Sequence, residues 1–230
     1  MRLQVFLSEA GISSRRHAAD IIKKGRVQVN GKRILDPSFQ VFPEKDRIFF
    51  NAKELVSKEK VYIMLNKPKG VTTTRDDPFA KKTVMDLIPA KYNHLKHVGR
   101  LDKDTTGLLL LTNDGDLINK LTHPRYNIEK KYTAVLDKRL SDKDKNRLEK
   151  GVNLDGRDTA PCIIKITHDN LIDITMHEGR NRQIKRMFSK MGYRVIGLQR
   201  TSEGKLHLGG LPEGKWKFLT KEVIDSLSGG

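Results

Sequence analysis

The stretch VGRLDKDTTGLLLLTNDGDL, residues 98–117, sets four aspartates around a run of four leucines in a chain that is otherwise strongly basic. Leu108–Leu111, between Gly107 and Asn113, is too short for a helix of its own and apolar on both faces, so it reads as a strand buried at the centre of a sheet. A central strand needs neighbours, and the flanking sequence offers them. VYIML (61–65) reads as a strand that ends at NKPKG, where Pro68 and Gly70 force a turn. KYTAVLD (131–137) is another. In LIDITMH (171–177), Ile172, Ile174 and Met176 share one face while Asp173, Thr175 and His177 share the other, the two-residue period of a half-buried strand. Helices fall between these strands. Asp114-Gly115 turns the chain into LINKLTH. Ser141 and Asp144 open a helix that runs to Lys150, with Gly151 beyond its end. NRQIKRMFSKM (181–191) buries Ile184, Met187, Phe188 and Met191. Residues 61–230 are thus expected to form an α+β domain, a mostly antiparallel mixed sheet flanked by helices.

The first 50 residues read as a separate unit. Leu3, Phe6 and Leu7 form a short helical face that Gly11 interrupts. Ser13 or Ser14 then caps a second helix through its side-chain oxygen. Ala18, Ile21 and Ile22 face inward on that helix, Arg15, Arg16 and Lys23 lie mainly elsewhere on its surface, and Gly25 ends it in a left-handed turn. RVQV and KRIL flank Asn30-Gly31, the strongest short hairpin signal, which places Lys32 at the start of the returning strand. A basic helix beside a tight hairpin suits an RNA backbone; the plain alternative is a structural cap with a solvated basic face. NAKELVSKEK (51–60) is polar and aperiodic and reads as a linker.

Composition narrows the function. Lys and Arg exceed Asp and Glu by 17 charges and the pI is near 9.9. A charge of that size favours a polyanion, because each phosphate contact releases a condensed counterion. The apolar runs are far shorter than a membrane span, and the N-terminus turns polar too early for a signal peptide. A lone cysteine, Cys162, excludes an intramolecular disulfide and fits a reducing compartment. The expectation is a cytoplasmic, monomeric protein.

Familiar catalytic signatures are missing: no phosphate-binding loop, no G-x-S-x-G and no cysteine cluster for zinc. His94 with His97 cannot complete a metal site alone, and Cys162, inside CIIKI, reads as a small buried side chain. In EGRNRQIKRMF (178–188), Arg180, Arg182, Lys185 and Arg186 crowd one turn and the following helix. Arg182 and Lys185 sit three apart and project from one face. A solvated basic face is the plain reading; Gly179 at the junction, which allows close backbone approach, favours a functional one. Among the aspartates, Asp114 and Asp116 flank a glycine turn and cap the next helix, and Asp104 can hold a turn through local hydrogen bonds. Asp102, after Gly99-Arg100, is least explained by turn chemistry.

These residues carry a resemblance. VGRLDKDTTGLLLLTNDGDL resembles the signature of the RsuA/RluB-type pseudouridine synthases. MLNKPKGV (64–71) matches their first catalytic-domain motif, EKKYTAVL (129–136) their tyrosine motif and HEGRNRQIKRMF (177–188) their basic helix, while the N-terminal unit resembles an S4 RNA-binding domain. The resemblance implies a base-flipping isomerisation of uridine in ribosomal RNA, without metal or cofactor. It implies that Asp102 is the catalytic acid, that Lys185 is the cation holding it ionised, and that Tyr132 stacks on the uracil and helps remove the C5 proton. Arg100 would aid extrusion of the nucleotide, and Arg180 and Arg182 would hold phosphates, with Arg186 and, in the N-terminal unit, Arg15, Arg16, Lys23 and Lys32 as further RNA contacts. Lysine in QIK, where RluA-type relatives carry arginine, points to the branch acting on ribosomal RNA; motif details favour the large-subunit (23S) enzymes over the small-subunit (16S) ones. Two other classes compete: a non-catalytic ribosome-associated RNA-binding protein, and a nuclease using paired aspartates as Mg²⁺ ligands.

Overall fold

The computed structural model describes residues 1–56, 59–75 and 77–228. It divides into two compact units, one of residues 1–61 with 113–115, the other of the remainder.

In the first unit, α1 (Leu3–Glu9) and α2 (Arg15–Lys23) pack together, and the Ser14 hydroxyl accepts from the His17 amide to cap α2. Leu3, Phe6, Leu7, Ala18, Ile21 and Ile22 form the core with Val27, Val29, Val41 and Ile48. Strand β1 (Val27–Val29) turns through Asn30 and Gly31, both at positive φ, into β2 (Lys32–Ile34), as the Asn-Gly pair dictates. The linker expectation for residues 51–60 is corrected here. Asn51 (φ 47°) and Ala52 (φ 64°) make a second tight turn, from β3 (Ile48–Phe50) into β4 (Lys53–Leu55), and complete a sheet of order β2-β1-β3-β4. The unit therefore extends past residue 50. No glycine marks this turn, so the sequence hid it. Of the expected linker, Ser57 and Lys58 lie outside the described residues.

The second unit is a mixed sheet. Strands β5 (Tyr62–Lys67), the short β6 (Lys96–His97), β7 (Thr106–Thr112) and β8 (Lys130–Leu136) come first. A small hairpin of β9 (Asn153–Leu154) and β10 (Arg157–Asp158) stands apart from the main sheet. Then follow β11 (Ile163–His168), β12 (Leu171–Met176), β13 (Val195–Glu203), β14 (Leu206–His207) and β15 (Trp216–Phe218). The order is β11-β12-β8-β13-β7-β5-β15, with β14 on β13 and β6 on β7. Among the described residues, the β13–β7 pair is the only parallel pairing of strands in this sheet. The four leucines of β7 are fully buried, as a central strand requires. Leu108 and Leu110 point to one face, where α3 (Gly115–Thr122) contributes Leu117 and Leu121, and α6 (Lys221–Ser228) contributes Ile224 and Leu227. α4 (Asp142–Lys150) starts at the Ser141 cap and ends at Gly151, and α5 (Gln183–Lys190) packs on β13. Met191, expected on the buried face of the last of these, is only half-buried and ends it. Gly107 is dictated by packing: its φ is 106°, and a Cβ there would lie 2.3 Å from the Arg200 carbonyl oxygen. Among the described residues no helix is long and apolar enough to cross a membrane.

Candidate active site

Asp102 sits in the loop that feeds β7, and its position is fixed by backbone. The Thr105 amide donates to the Asp102 carbonyl at 3.0 Å, closing a turn. Thr73 clasps the preceding residue: its hydroxyl donates to the Leu101 carbonyl at 2.8 Å. The Gly70 amide donates to the Lys103 carbonyl at 2.7 Å. Beneath the loop lies Lys67, the last residue of β5 and wholly buried; its ammonium donates to the carbonyls of Thr105 (2.8 Å), Pro68 (3.0 Å) and Lys103 (3.4 Å). Burial lowers the Lys67 pKa to about 8, against the opposing pull of Asp104, Asp102 and Glu213. Reading 66–70 as a turn missed this lysine, although an unbroken apolar run ending in Asn-Lys is where a strand pushes a polar end under a loop.

Helix α5 supplies the facing cations. Lys185 Nζ lies 3.7 Å from Asp102 Oδ2, bonds Asp104 Oδ1 at short range, and donates to Thr105 Oγ1 at 3.2 Å. Arg182, in the left-handed region (φ 47°) at the N-cap of α5, places Nη1 3.4 Å from the same Asp104 oxygen. Partial burial alone would raise the Asp104 carboxyl; the Lys185 hydrogen bond and charge, with the Arg182 charge, outweigh it and hold that carboxyl below its ordinary value. Asp104 is therefore held chiefly by long-range ion pairs, with its own backbone amide supplying the local bond expected of it. A single ammonium bridges Asp102 and Asp104, filling the place a bridging cation would take.

Tyr132, on β8, is buried, and burial pushes its phenol above the ordinary value against the charge of Arg200. Asp102, Tyr132, Lys185, Arg100, Arg180 and Arg182 line one cavity of about 570 Å³, which brings six of the sequence candidates together. Gly179 lines it too, and a Cβ there would project into open space. Arg100 is exposed. The Arg180 guanidinium is already occupied: Nη1 donates to the Arg157 carbonyl at 3.0 Å, Nη2 to that of Asp158, and Nε lies 3.3 Å from Glu178. Arg186 pairs with Asp155 at the β9–β10 turn. Gln183 is a residue that attention to the cations alone overlooked. It is buried, and its Oε1 accepts from the Arg180 amide at 2.9 Å while its Nε2 bonds Glu178, which locks the turn leading into α5.

The remaining candidates fall elsewhere. Arg15, Arg16, Lys23 and Lys32 are exposed on the first unit. Asp114 pairs with Lys60 at 3.0 Å, and Asp116 sits in the first turn of α3. Cys162 is buried, its thiol pushed up to about 11 and bonded to the Leu148 carbonyl. Among the described residues no group of three or more His, Cys, Asp or Glu could hold a metal ion.

Residues 61–190 match the family described as RNA pseudouridylate synthase, and residues 1–48 match the S4 domain. The chain belongs to the RNA pseudouridylate synthase family. As a pseudouridine synthase it is an isomerase, which sets aside the purely RNA-binding reading. It is similar to the ribosomal large subunit pseudouridine synthase B of Bacillus subtilis (strain 168), 40% identical over 98% of this chain and 95% of that protein. It is also similar to the dual-specificity RNA pseudouridine synthase RluF of Escherichia coli O6:H1, 39% identical over 98% of this chain and 78% of that protein. A crystal structure of a pseudouridylate synthase superposes with a TM-score of 0.73 at 34% identity, covering 99% of both chains.

Proposed function

We propose that this synthase converts a uridine of large-subunit ribosomal RNA to pseudouridine, with Asp102 as the catalytic carboxylate. The observation that carries the reading is the placement of Asp102 on the wall of a nucleotide-sized cavity, with Lys185 behind it and Tyr132 in the same wall. The reaction breaks the C1′–N1 bond, turns the uracil and joins C5 to C1′. The C5 proton leaves and N1 gains one, so product and substrate are isomers. The base must first leave its stack, and Arg100, exposed at the cavity, is placed to fill the vacated position.

Asp102 acts as the anion. Stacking a base over it removes water, and the Lys185 ammonium, 3.7 Å away, supplies the facing charge. Tyr132 supplies a flat apolar ring for the uracil and a hydroxyl near the C5 side. Arg182 contacts phosphate, as do Arg15, Arg16, Lys23 and Lys32 from the S4 domain. Arg186, on α5, is a further phosphate contact, and Arg180 serves chiefly as a brace. The large-subunit target rests on the Bacillus relative, which matches over almost the whole chain. Small-subunit RNA is the alternative. The protein works in the cytoplasm as a monomer, with no cofactor drawn on.

The test is tritium release from C5-labelled uracil in large- and small-subunit transcripts, with EDTA present, for wild type and Asp102→Asn. Wild type is expected to release tritium from the large-subunit transcript at one mapped position, and Asp102→Asn to bind it and release none. Release by both proteins would remove Asp102 from the chemistry. Release only from small-subunit RNA would reassign the substrate.

A further inference from the structure

Behind Tyr132, on β13, lie two charges buried to 2% and 1% exposure, Arg200 and Glu203. Desolvating such a pair costs about as much as its attraction returns, so a buried ion pair is weak as a stabiliser and asks for another role. Register gives the first indication. Arg200 is paired with Tyr132 across β8 and with Gly107 across β7, the strand that begins just after the Asp102 loop. Its Nε donates to the Leu108 carbonyl at 2.8 Å, which fixes the guanidinium plane. Nη2 lies 3.4 Å from Glu203 Oε2, and Lys130 Nζ lies 3.9 Å from Glu203 Oε1. The guanidinium also reaches the Tyr132 hydroxyl.

A guanidinium has only donors. A phenol oxygen that meets one accepts from it, which leaves its own O–H to turn away from the arginine. We propose that Arg200, backed by Glu203, is a positioning residue: it anchors the hydroxyl end of the Tyr132 ring and aims the O–H at a carbonyl of the bound uracil. This rests on the assignment of Tyr132 to the substrate base. Removing Arg200 would leave the ring in place but let the hydroxyl rotate.

Other charged groups also face this hydroxyl. Besides Arg200 and Glu203 from β13, Asp102 before β7 acts on it, and Lys130, Arg100 and Arg180 line the cavities that Tyr132 borders. His123, His177 and Glu178 border the adjoining cavity of about 340 Å³, which Tyr132 also lines. Substitutions confined to Arg200 and Glu203 leave all of these unchanged, so a difference between variants reports the pair alone.

The test uses the full chain labelled with 3-fluorotyrosine, whose ring fluorine acidifies the phenol and reports its environment. The Tyr132 fluorine resonance is assigned by its loss in Tyr132→Phe, and the other four of the five tyrosines serve as folding controls. Losing a nearby cation disfavours the phenolate, and losing a nearby anion favours it. Arg200→Met is therefore expected to raise the Tyr132 midpoint by about one pH unit and Glu203→Gln to lower it by about the same, with Arg200→Lys near wild type. Turnover in Arg200→Met is expected to fall about tenfold or more with KM within about twofold, and Arg200→Lys to recover most of it. An unchanged midpoint and chemical shift in folded Arg200→Met or Glu203→Gln overturns the proposal; if Arg200→Met does not fold, Glu203→Gln decides. Full turnover in Tyr132→Phe, which keeps the ring and loses only the hydroxyl, would also overturn the proposal, whereas loss of turnover in Tyr132→Ala but not in Tyr132→Phe would leave the stacking role of the ring intact.

Discussion

Helices α2 and α5 are written in nearly the same pattern, an apolar face with cations around it, yet they present those cations in opposite ways. α2 buries Ala18, Ile21 and Ile22 and leaves Arg15, Arg16 and Lys23 exposed. α5 buries Ile184, Met187 and Phe188, but the side chain of Lys185 is only 12% exposed, because Asp102 and Asp104 come to it from 81 to 83 residues away in sequence. Arg182 and Arg186 also meet carboxylates, but their side chains stay far more exposed than that of Lys185 and can reach phosphate as well. A cation in water exchanges counterions for phosphates and contributes affinity. A cation already committed to a carboxylate holds that carboxylate ionised and in place, which is a contribution to chemistry. The teaching is that identity and spacing of basic residues do not separate the two cases; the partner does.

The sharpest way to break the comparison is Lys185→Met. If the ammonium serves the carboxylates, turnover at saturating RNA falls by about two to three orders of magnitude, the usual loss when one preorganised electrostatic partner is removed, while Kd changes little. If Lys185 were another phosphate contact, Kd would weaken and single-turnover rate would hold. Neutralising α2 as Arg15→Gln, Arg16→Gln and Lys23→Gln is the converse experiment. Affinity is expected to drop by about tenfold or more at moderate salt, and the slope of log K against log salt to shrink by about two, with turnover at saturation retained. A fall in turnover with an unchanged salt slope would put α2 and α5 in the same class.

The two helices also mark where sequence reasoning succeeds and where it stops. Both were legible, because apolar periodicity needs only local spacing, and so were β7, the Ser141 cap and the Asn30-Gly31 hairpin. The Asn51-Ala52 turn was not, since alanine at φ 64° carries no local signal. At the site, Asp102 stood out by elimination among four aspartates, and the resemblance then gave it a role. The partition of Lys185 between Asp102 and Asp104 could not be read, because it depends on where a loop and a helix some 80 residues apart meet. Lys67 and Arg200 were invisible for a related reason: a charge at the end of a strand or within a polar stretch of one looks exposed until the fold closes over it.

Lys67 offers the smallest effect and the most direct check that this site's cations are not solvated. Its pKa is about 8 in the folded protein, below the ordinary lysine value of 10.5, so between those limits the unfolded chain binds a proton that the folded one has released. Stability from this group therefore rises as pH increases from about 8 to 10.5, by on the order of 1–3 kcal/mol, and is constant below that window. Other groups titrate there too, so the quantity to measure is the difference in unfolding free energy between wild type and Lys67→Met at several pH values. The variant is expected to lose ground steadily as the pH climbs, because only wild type gains from shedding the proton. A flat difference would mean that Lys67 keeps an ordinary pKa despite its burial. The carboxylate loop would then be supported by hydrogen bonds to its carbonyls alone, and the contrast with α2 would rest on Lys185.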